Sequence, residues 1–197
     1  MSSLERYSTN RVRRLIGSIN SIRFKDDTGE VEYFGQQVVM LRRDAFTLIR
    51  DELTRVAGGA GQVILGIAGH TVGKEEGRAL LAKAKAPGVR LPQSLPIFIR
   101  LAVEETNMGY GKVKIEDFST ESGTVNISLL NSFEVDPYRH TLKPTCAFTL
   151  GYLKGIFSEL VGRDFEGKEI ECKSKGDAGC KFRLAVRPES NAGTSPK

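Results

Sequence analysis

An α+β fold is predicted from three observations. Apolar residues recur at helical spacing in four long segments. Several shorter runs alternate or lean towards β, and they come in pairs joined by turn-forming residues. The chain has 197 residues, a length that usually makes one domain and is ample for a buried core. An apolar share of 40% and a charged share of 27% are ordinary for a soluble globular protein. The net charge of +5 is that of a solvated, mixed-sign surface, and no direct nucleic-acid binding is expected from it. No apolar run reaches the ~20 residues of a membrane helix, and the N-terminus lacks a signal-peptide core. A cytoplasmic protein without a membrane span is therefore expected, a compartment that disfavours disulfides.

Taken in order, residues 1–10 are polar, and Arg11-Val-Arg-Arg14 is a basic start. Leu15–Phe24 and Glu30–Phe34 lean towards β around Asp26-Asp-Thr-Gly29, which predicts a hairpin. Gln36–Leu41 predicts a third short strand. Such a hairpin is marginal alone. Residues 1–43 are thus an N-terminal β-hairpin extension that packs on the main domain or on a second copy, and a homodimer is expected.

Asp44 is a suitable N-cap for a helix over 45–57, with Ala45, Leu48, Ile49, Leu53 and Val56 on one stripe. Gly58-Gly-Ala-Gly61 ends it, and a second helix is predicted over 61–85. Gly66, Gly69, Gly73 and Gly77 share one face of this helix. Glycine costs about 1 kcal/mol relative to alanine in a helix interior. Four on one stripe therefore imply close approach of another helix, or room for a ligand beside His70.

Pro92, Ser94 and Pro96 open a helix that runs to about Met108, with Leu95, Phe98, Leu101 and Ala102 on its stripe. Gly109-Tyr-Gly111 stops it. Strands follow over 112–118 and 124–130, then a loop bracketed by Pro137 and Pro144. A helix from Thr145 or Cys146 to Val161 turns Leu150, Leu153, Ile156, Phe157 and Leu160 inward and carries a shorter glycine stripe, Gly151 and Gly155. Strands over 168–172 and 180–186 close the domain, and 188–197 is a polar, disordered tail.

All three cysteines lie between Cys146 and Cys180, one at a helix start and two on the arms of a hairpin. This arrangement predicts one thiol cluster, read as a metal site completed by a carboxylate just upstream of Cys172. The alternatives are three reduced cysteines packed as small apolar groups, or a thiol redox switch.

The stretch from Ala45 to Val186 resembles the 4-vinyl reductase domain family. The resemblance rests on the helix from Gly66 to Gly77, Gly109-Tyr-Gly111 before a strand, and Cys146 followed by Gly151 and Gly155. Its most specific part is Glu169-Ile-Glu-Cys172, Gly176-Asp177 and Cys180-Lys-Phe182. It implies, over 44–187, an antiparallel sheet of about four strands packed by helices, a fold similar to Golgi transport-particle subunits. It also implies a zinc ion held by Cys146, Glu169, Cys172 and Cys180, and relationship to ligand-sensing domains of regulators of aromatic degradation. Glu169 and Cys172 have opposite parity on a regular strand, so a bulge or early strand end must intervene if both bind; Glu171 and Asp177 are the substitutes.

The function expected is a zinc-containing sensor or regulatory module for an apolar or aromatic molecule, with His70, Phe98, Tyr110 and Tyr152 as candidate lining residues. No helix-turn-helix or ATPase segment is legible. An enzyme is not expected, because no dinucleotide fingerprint, phosphate loop or nucleophile–base pair stands at readable spacing. A scaffold or accessory subunit with a possible protein partner, or a thiol redox sensor, is the alternative, and an enzyme of tetrapyrrole vinyl reduction ranks below both.

Overall fold

A computed structural model describes residues 22–33, 36–85, 99–100, 103–104, 109–119 and 121–188, with Lys83 by its backbone alone. Two antiparallel sheets and three long helices are described. β1 (Ile22–Lys25), β2 (Glu30–Tyr33) and β3 (Gln36–Val38) form the first sheet in the order β1-β2-β3. Gly29, at φ 70°, makes the β1–β2 turn that the Asp-Asp-Thr-Gly run predicts. α1 (Arg43–Ala57) and α2 (Ala60–Ala84) follow as a helical hairpin. β4 (Lys112–Ser119), β5 (Thr124–Leu130), β6 (Phe165–Glu171) and β7 (Cys180–Val186) form the second sheet, in the order β4-β5-β7-β6. α3 (Ala147–Val161) connects β5 to β6.

The fold is therefore α+β with a four-stranded antiparallel sheet packed by helices, as the sequence predicts. Observed bounds of β5 and β7 coincide with the predicted ones, whereas β6 begins earlier than predicted and ends before Cys172. Residues 1–21, most of the helix predicted over 94–108, Phe98 among them, and the tail beyond 188 lie outside the described residues. Ile99 and Val103, one helical turn apart, are helical and fully buried in the core.

α3 is the centre of the domain. Leu153, Ile156, Phe157 and Leu160 pack against the inner face of the sheet, where Val125, Ile127, Leu129, Phe182 and Leu184 are buried. The opposite side of α3 meets α2 through both glycine stripes. A Cβ at Gly69 would land on the carbonyl oxygen of Phe148, and one at Gly73 on that of Tyr152. In return, a Cβ at Gly151 would land on the Gly66 carbonyl and one at Gly155 on that of His70. The two stripes face each other and let backbone touch backbone. Buried on both sides, α3 is apolar over most of its circumference.

α1 departs from expectation. Its cap is Arg42, with Asp44 in the first turn, not at the N-cap. The predicted stripe turns outward: Leu48 is 64%, Ile49 49% and Val56 71% exposed. Phe46 and Arg50 face inward instead. Phe46 packs edge-on to Phe133 and Phe148 at centroid distances of 4.5 and 5.4 Å. Arg50, 4% exposed, donates to the backbone carbonyl of Glu134, and Arg43 donates to the carbonyls of Ser132 and Val135 at 2.9 and 3.1 Å. Carbonyls of an irregular loop need partners when buried. The two arginines meet that need, and with the ring of Phe46 they fix which face of α1 is inside.

The loop so held delivers Glu134 to the N-terminus of α3. Its fully buried carboxylate accepts from the backbone N–H of Phe148 at 3.0 Å and of Thr149 at 2.7 Å. These are donors that a helix cannot satisfy by itself. Burial raises the Glu134 pKa to about 7, against the pull of those hydrogen bonds.

Two outcomes are expected from this packing. Gly69→Ala and Gly155→Ala should each lower the melting temperature in thermal unfolding, because the overpacking cost of about 1–3 kcal/mol outweighs the helix-propensity gain of about 1 kcal/mol. Glu134→Ala should destabilise by about 2 kcal/mol or more in urea titrations, since buried N–H groups lose their acceptor. With its folded pKa raised from 4.5 to about 7, Glu134 contributes stability that is complete below pH 4.5 and is lost as pH rises through about 7. The stability of the native protein relative to Glu134→Gln should accordingly fall over that window.

Candidate metal centre

Cys146 is the N-cap residue of α3, Cys172 follows the last residue of β6, and Cys180 is the first residue of β7. Their sulfurs and a carboxylate oxygen of Glu169 all lie within 4.8 Å of one another. Cys146 Sγ is 3.6 Å from Cys180 Sγ, and Cys180 Sγ is 4.0 Å from Cys172 Sγ. A tetrahedral ion with metal–sulfur bonds of about 2.3 Å sets its sulfurs about 3.8 Å apart. All three thiols are buried.

The parity of Glu169 and Cys172 is reversed by a bulge. Glu169 pairs with Phe182 and Glu171 with Lys181, so Ile170 is the extra residue on β6. Glu169 thereby shares the inner face with Phe182, and β6 ends at Glu171, leaving Cys172 to turn inward as well. The other two carboxylates are used elsewhere. Glu171 pairs with Lys181 on the outer face at 2.9 Å. Asp177 accepts from the Cys172 N–H at 2.7 Å and holds the turn over Lys173–Lys175, which Gly176 closes at φ 102°.

One oxygen of Glu169 accepts from the Cys146 N–H at 3.1 Å. The other, Oε1, is buried without a hydrogen-bond partner among the described residues. Such an orphaned acceptor is costly and suits a cation among the three sulfurs. Hydroxyls stand behind the thiols. Ser174 Oγ is 2.9 Å from Cys172 Sγ, and Ser132 Oγ is 3.5 Å from Cys146 Sγ.

The protonation pattern is that of a group of donors suited to a positive charge. Hydrogen bonds from Cys146 and then Cys180 hold the Cys172 thiol far below its ordinary range. Bonds to Cys172 and Cys180, with burial, push the Cys146 thiol far up. Cys180 is pulled down by Cys146, but Cys172 and burial outweigh this and leave it at about 12. Burial, reinforced by the neighbouring Cys172 thiol, raises Glu169 to about 8. A divalent ion would displace the remaining protons, and with four protein donors it would have no open position.

Glu134 was not legible as part of this corner. Together with Glu169 it places two carboxylates at the N-terminus of α3, where the helix dipole favours negative charge. No sequence spacing links Glu134 to a helix that begins at Ala147.

Of the predicted ligand residues that are described, Tyr110 and Tyr152 come together and His70 lies apart. Tyr110 and Tyr152 meet edge to face at 5.3 Å, and Tyr110 stacks on Phe133 at 4.8 Å. Tyr110 also lines a cavity of about 1110 Å³ between the N-terminal sheet and α2, with Val31, Tyr33, Val38, Val72 and Ala79. Tyr152 is buried in the core. His70 lines a different cavity of about 450 Å³ beside the crossing of Gly66 and Gly151. The long glycine stripe faces α3, not either cavity.

Comparison with solved structures places this fold. The phenol-responsive sensory domain of the transcription activator PoxR, solved with phenol, matches with a TM-score of 0.73 at 20% identity, over 94% of this chain and 92% of that one. Trafficking protein particle complex subunit 3 from Naegleria fowleri, covalently bound to palmitic acid, matches with a TM-score of 0.50 at 12% identity, over 74% of this chain and 95% of that one. A vinyl-4-reductase family protein from Methanocaldococcus jannaschii matches with a TM-score of 0.46 at 15% identity, over 95% and 97%. A search of curated proteins returns no match. The vinyl-4-reductase domain model matches residues 125–186, from the second residue of β5 to the last of β7, and so encloses all four donors. Residues 125–186 are thus similar to the vinyl-4-reductase domain.

Proposed function

We propose that the protein is a small-molecule-binding regulatory module whose binding corner is stapled by zinc. The observation that carries the reading is the pairing of a large, mostly apolar cavity at Tyr110 with a four-donor cluster in the same domain. The cavity volume, about 1110 Å³, lies just above the range for small-ligand sites, about 300–1,000 Å³. Aliphatic walls and the Tyr110 ring suit an apolar or aromatic molecule, and the PoxR sensory domain, of the same fold, is phenol-responsive.

Zinc would be held by Cys146, Glu169, Cys172 and Cys180. It would supply structure and not a reaction, tying the start of α3 to the β6–β7 hairpin. No catalytic role is assigned to any residue, and among the described residues no helix is long and apolar enough to cross a membrane. The module would act as a homodimer, with the second copy covering apolar groups left outside, Phe24 on β1 and Leu48 and Val56 on α1.

Native mass spectrometry is expected to give a dimer with one zinc per chain. Cys172→Ser should lose the metal and unfold more readily, because metal binding is coupled to folding; Leu48→Glu should give monomer. A metal-free native protein, or a dimer untouched by Leu48→Glu, would count against the respective part.

Phenol titrated by calorimetry and by NMR is expected to shift resonances of Tyr110 and Ala79. Ala79→Phe, which fills the cavity from α2, should abolish those shifts while leaving the melting temperature within a few degrees. Binding that survives this variant would place the ligand elsewhere.

A further inference from the structure

The second cavity has a charge pattern that the reading above does not use. Its wall is apolar along Ile67, Leu150 and Phe165, and its rim carries His70, Lys154, Asp164 and Arg187. An adjoining cleft of about 360 Å³ shares Asp164 and adds Lys74, Arg163 and Glu159. Glu159 is already engaged by Arg78 at 3.4 Å. Asp164 lines both clefts, with Lys154 and Arg187 in one and Lys74 and Arg163 in the other. Among the described residues none of Lys74, Lys154, Arg163 and Arg187 makes a salt bridge, nor does Asp164. Arg187 and Asp164 are tied only through the backbone, Arg187 N–H to Asp164 O at 2.7 Å. His70 feels the same field: burial first, then Lys74 and Lys154, lower its pKa. At neutral pH it is therefore an uncharged imidazole, able to donate one hydrogen bond.

We propose that this second cavity binds a small organic carboxylate, its apolar body against Ile67, Leu150 and Phe165 and its carboxylate between His70, Lys154 and Arg187. The volume of about 450 Å³ falls within the range of small-ligand sites. Cations lining one cleft focus their field on its interior and raise the local concentration of anions. An anion bound there gains charge-assisted hydrogen bonds. The apolar wall decides which anion: a bare inorganic ion would leave Leu150 and Phe165 against a hydrated charge, whereas an aromatic or short acyl carboxylate covers them. A neutral phenol would gain no charge-assisted hydrogen bond there. The cavity lies where Gly66 and Gly151 touch, so its occupant would bridge α2 and α3 at their closest point.

Benzoate, phosphate and phenol are the probes, titrated by calorimetry into the full-length protein and followed by NMR. Benzoate is expected to bind one per chain and to shift His70 and Leu150. Lys154→Ala and Arg187→Ala, both partly or fully exposed positions that leave the core intact, should each weaken it roughly tenfold, and Lys154→Arg should restore most of the loss. Phosphate should bind markedly more weakly than benzoate. Ala79→Phe, in the other cavity, should leave benzoate binding unchanged, which separates this site from the proposed phenol site. The proposal is overturned if benzoate does not bind or if the Lys154→Ala/Arg187→Ala double variant binds it as the native protein does. Phosphate binding as tightly as benzoate, or Ala79→Phe abolishing benzoate binding, would overturn it equally.

Discussion

The contact on which the structure depends is the backbone crossing of α2 and α3. Side chains normally keep helix axes about 8–10 Å apart. At Gly69 and Gly73 on α2 and at Gly151 and Gly155 on α3 that separation is given up, and carbonyl oxygens of each helix sit where a Cβ of the other would be. The conformational cost of so many glycines in helices is offset by close packing over the whole crossing. Both cavities take their position from it, since α2 walls each of them and α3 adds Leu150, Gly151 and Lys154 to the second.

From that fixed axis the rest of the site follows. Pinned against α2 and pressed onto the sheet by Ile156 and Phe157, α3 can present its N-terminus in one place only. Two buried or half-buried carboxylates meet it there, Glu134 on the N–H groups of Phe148 and Thr149 and Glu169 on that of Cys146. Glu169 has a second oxygen to spare, aimed among three sulfurs. One carboxylate completes the helix, and the other both completes it and faces the thiols.

α1 shows how polar anchoring can override an amphipathic pattern. Its apolar stripe of Leu48, Ile49 and Val56 promised an inward face, yet Arg50 and Arg43 reach into the domain because the carbonyls of Ser132, Glu134 and Val135 need donors there. Burying an unpaired carbonyl costs more than exposing an aliphatic side chain. The exposed stripe is what this choice leaves on the surface.

The sequence by itself determined what depends on neighbours along the chain. Alternation and turn residues set β4, β5 and β7 almost to the residue, helical period set α2 and α3, and the glycine spacing announced a close crossing. The three cysteines and Glu169 were legible as a group through a motif. Tertiary structure decided whatever depends on residues far apart in sequence. The bulge at Ile170 that turns Glu169 and Cys172 to one face arises from pairing with β7. Glu134 is recruited to a helix it does not adjoin. His70 and Tyr110 line different cavities. Local periodicity says which face of an element is apolar, but which face is buried depends on the unpaired polar groups and backbone surfaces that other elements bring to it.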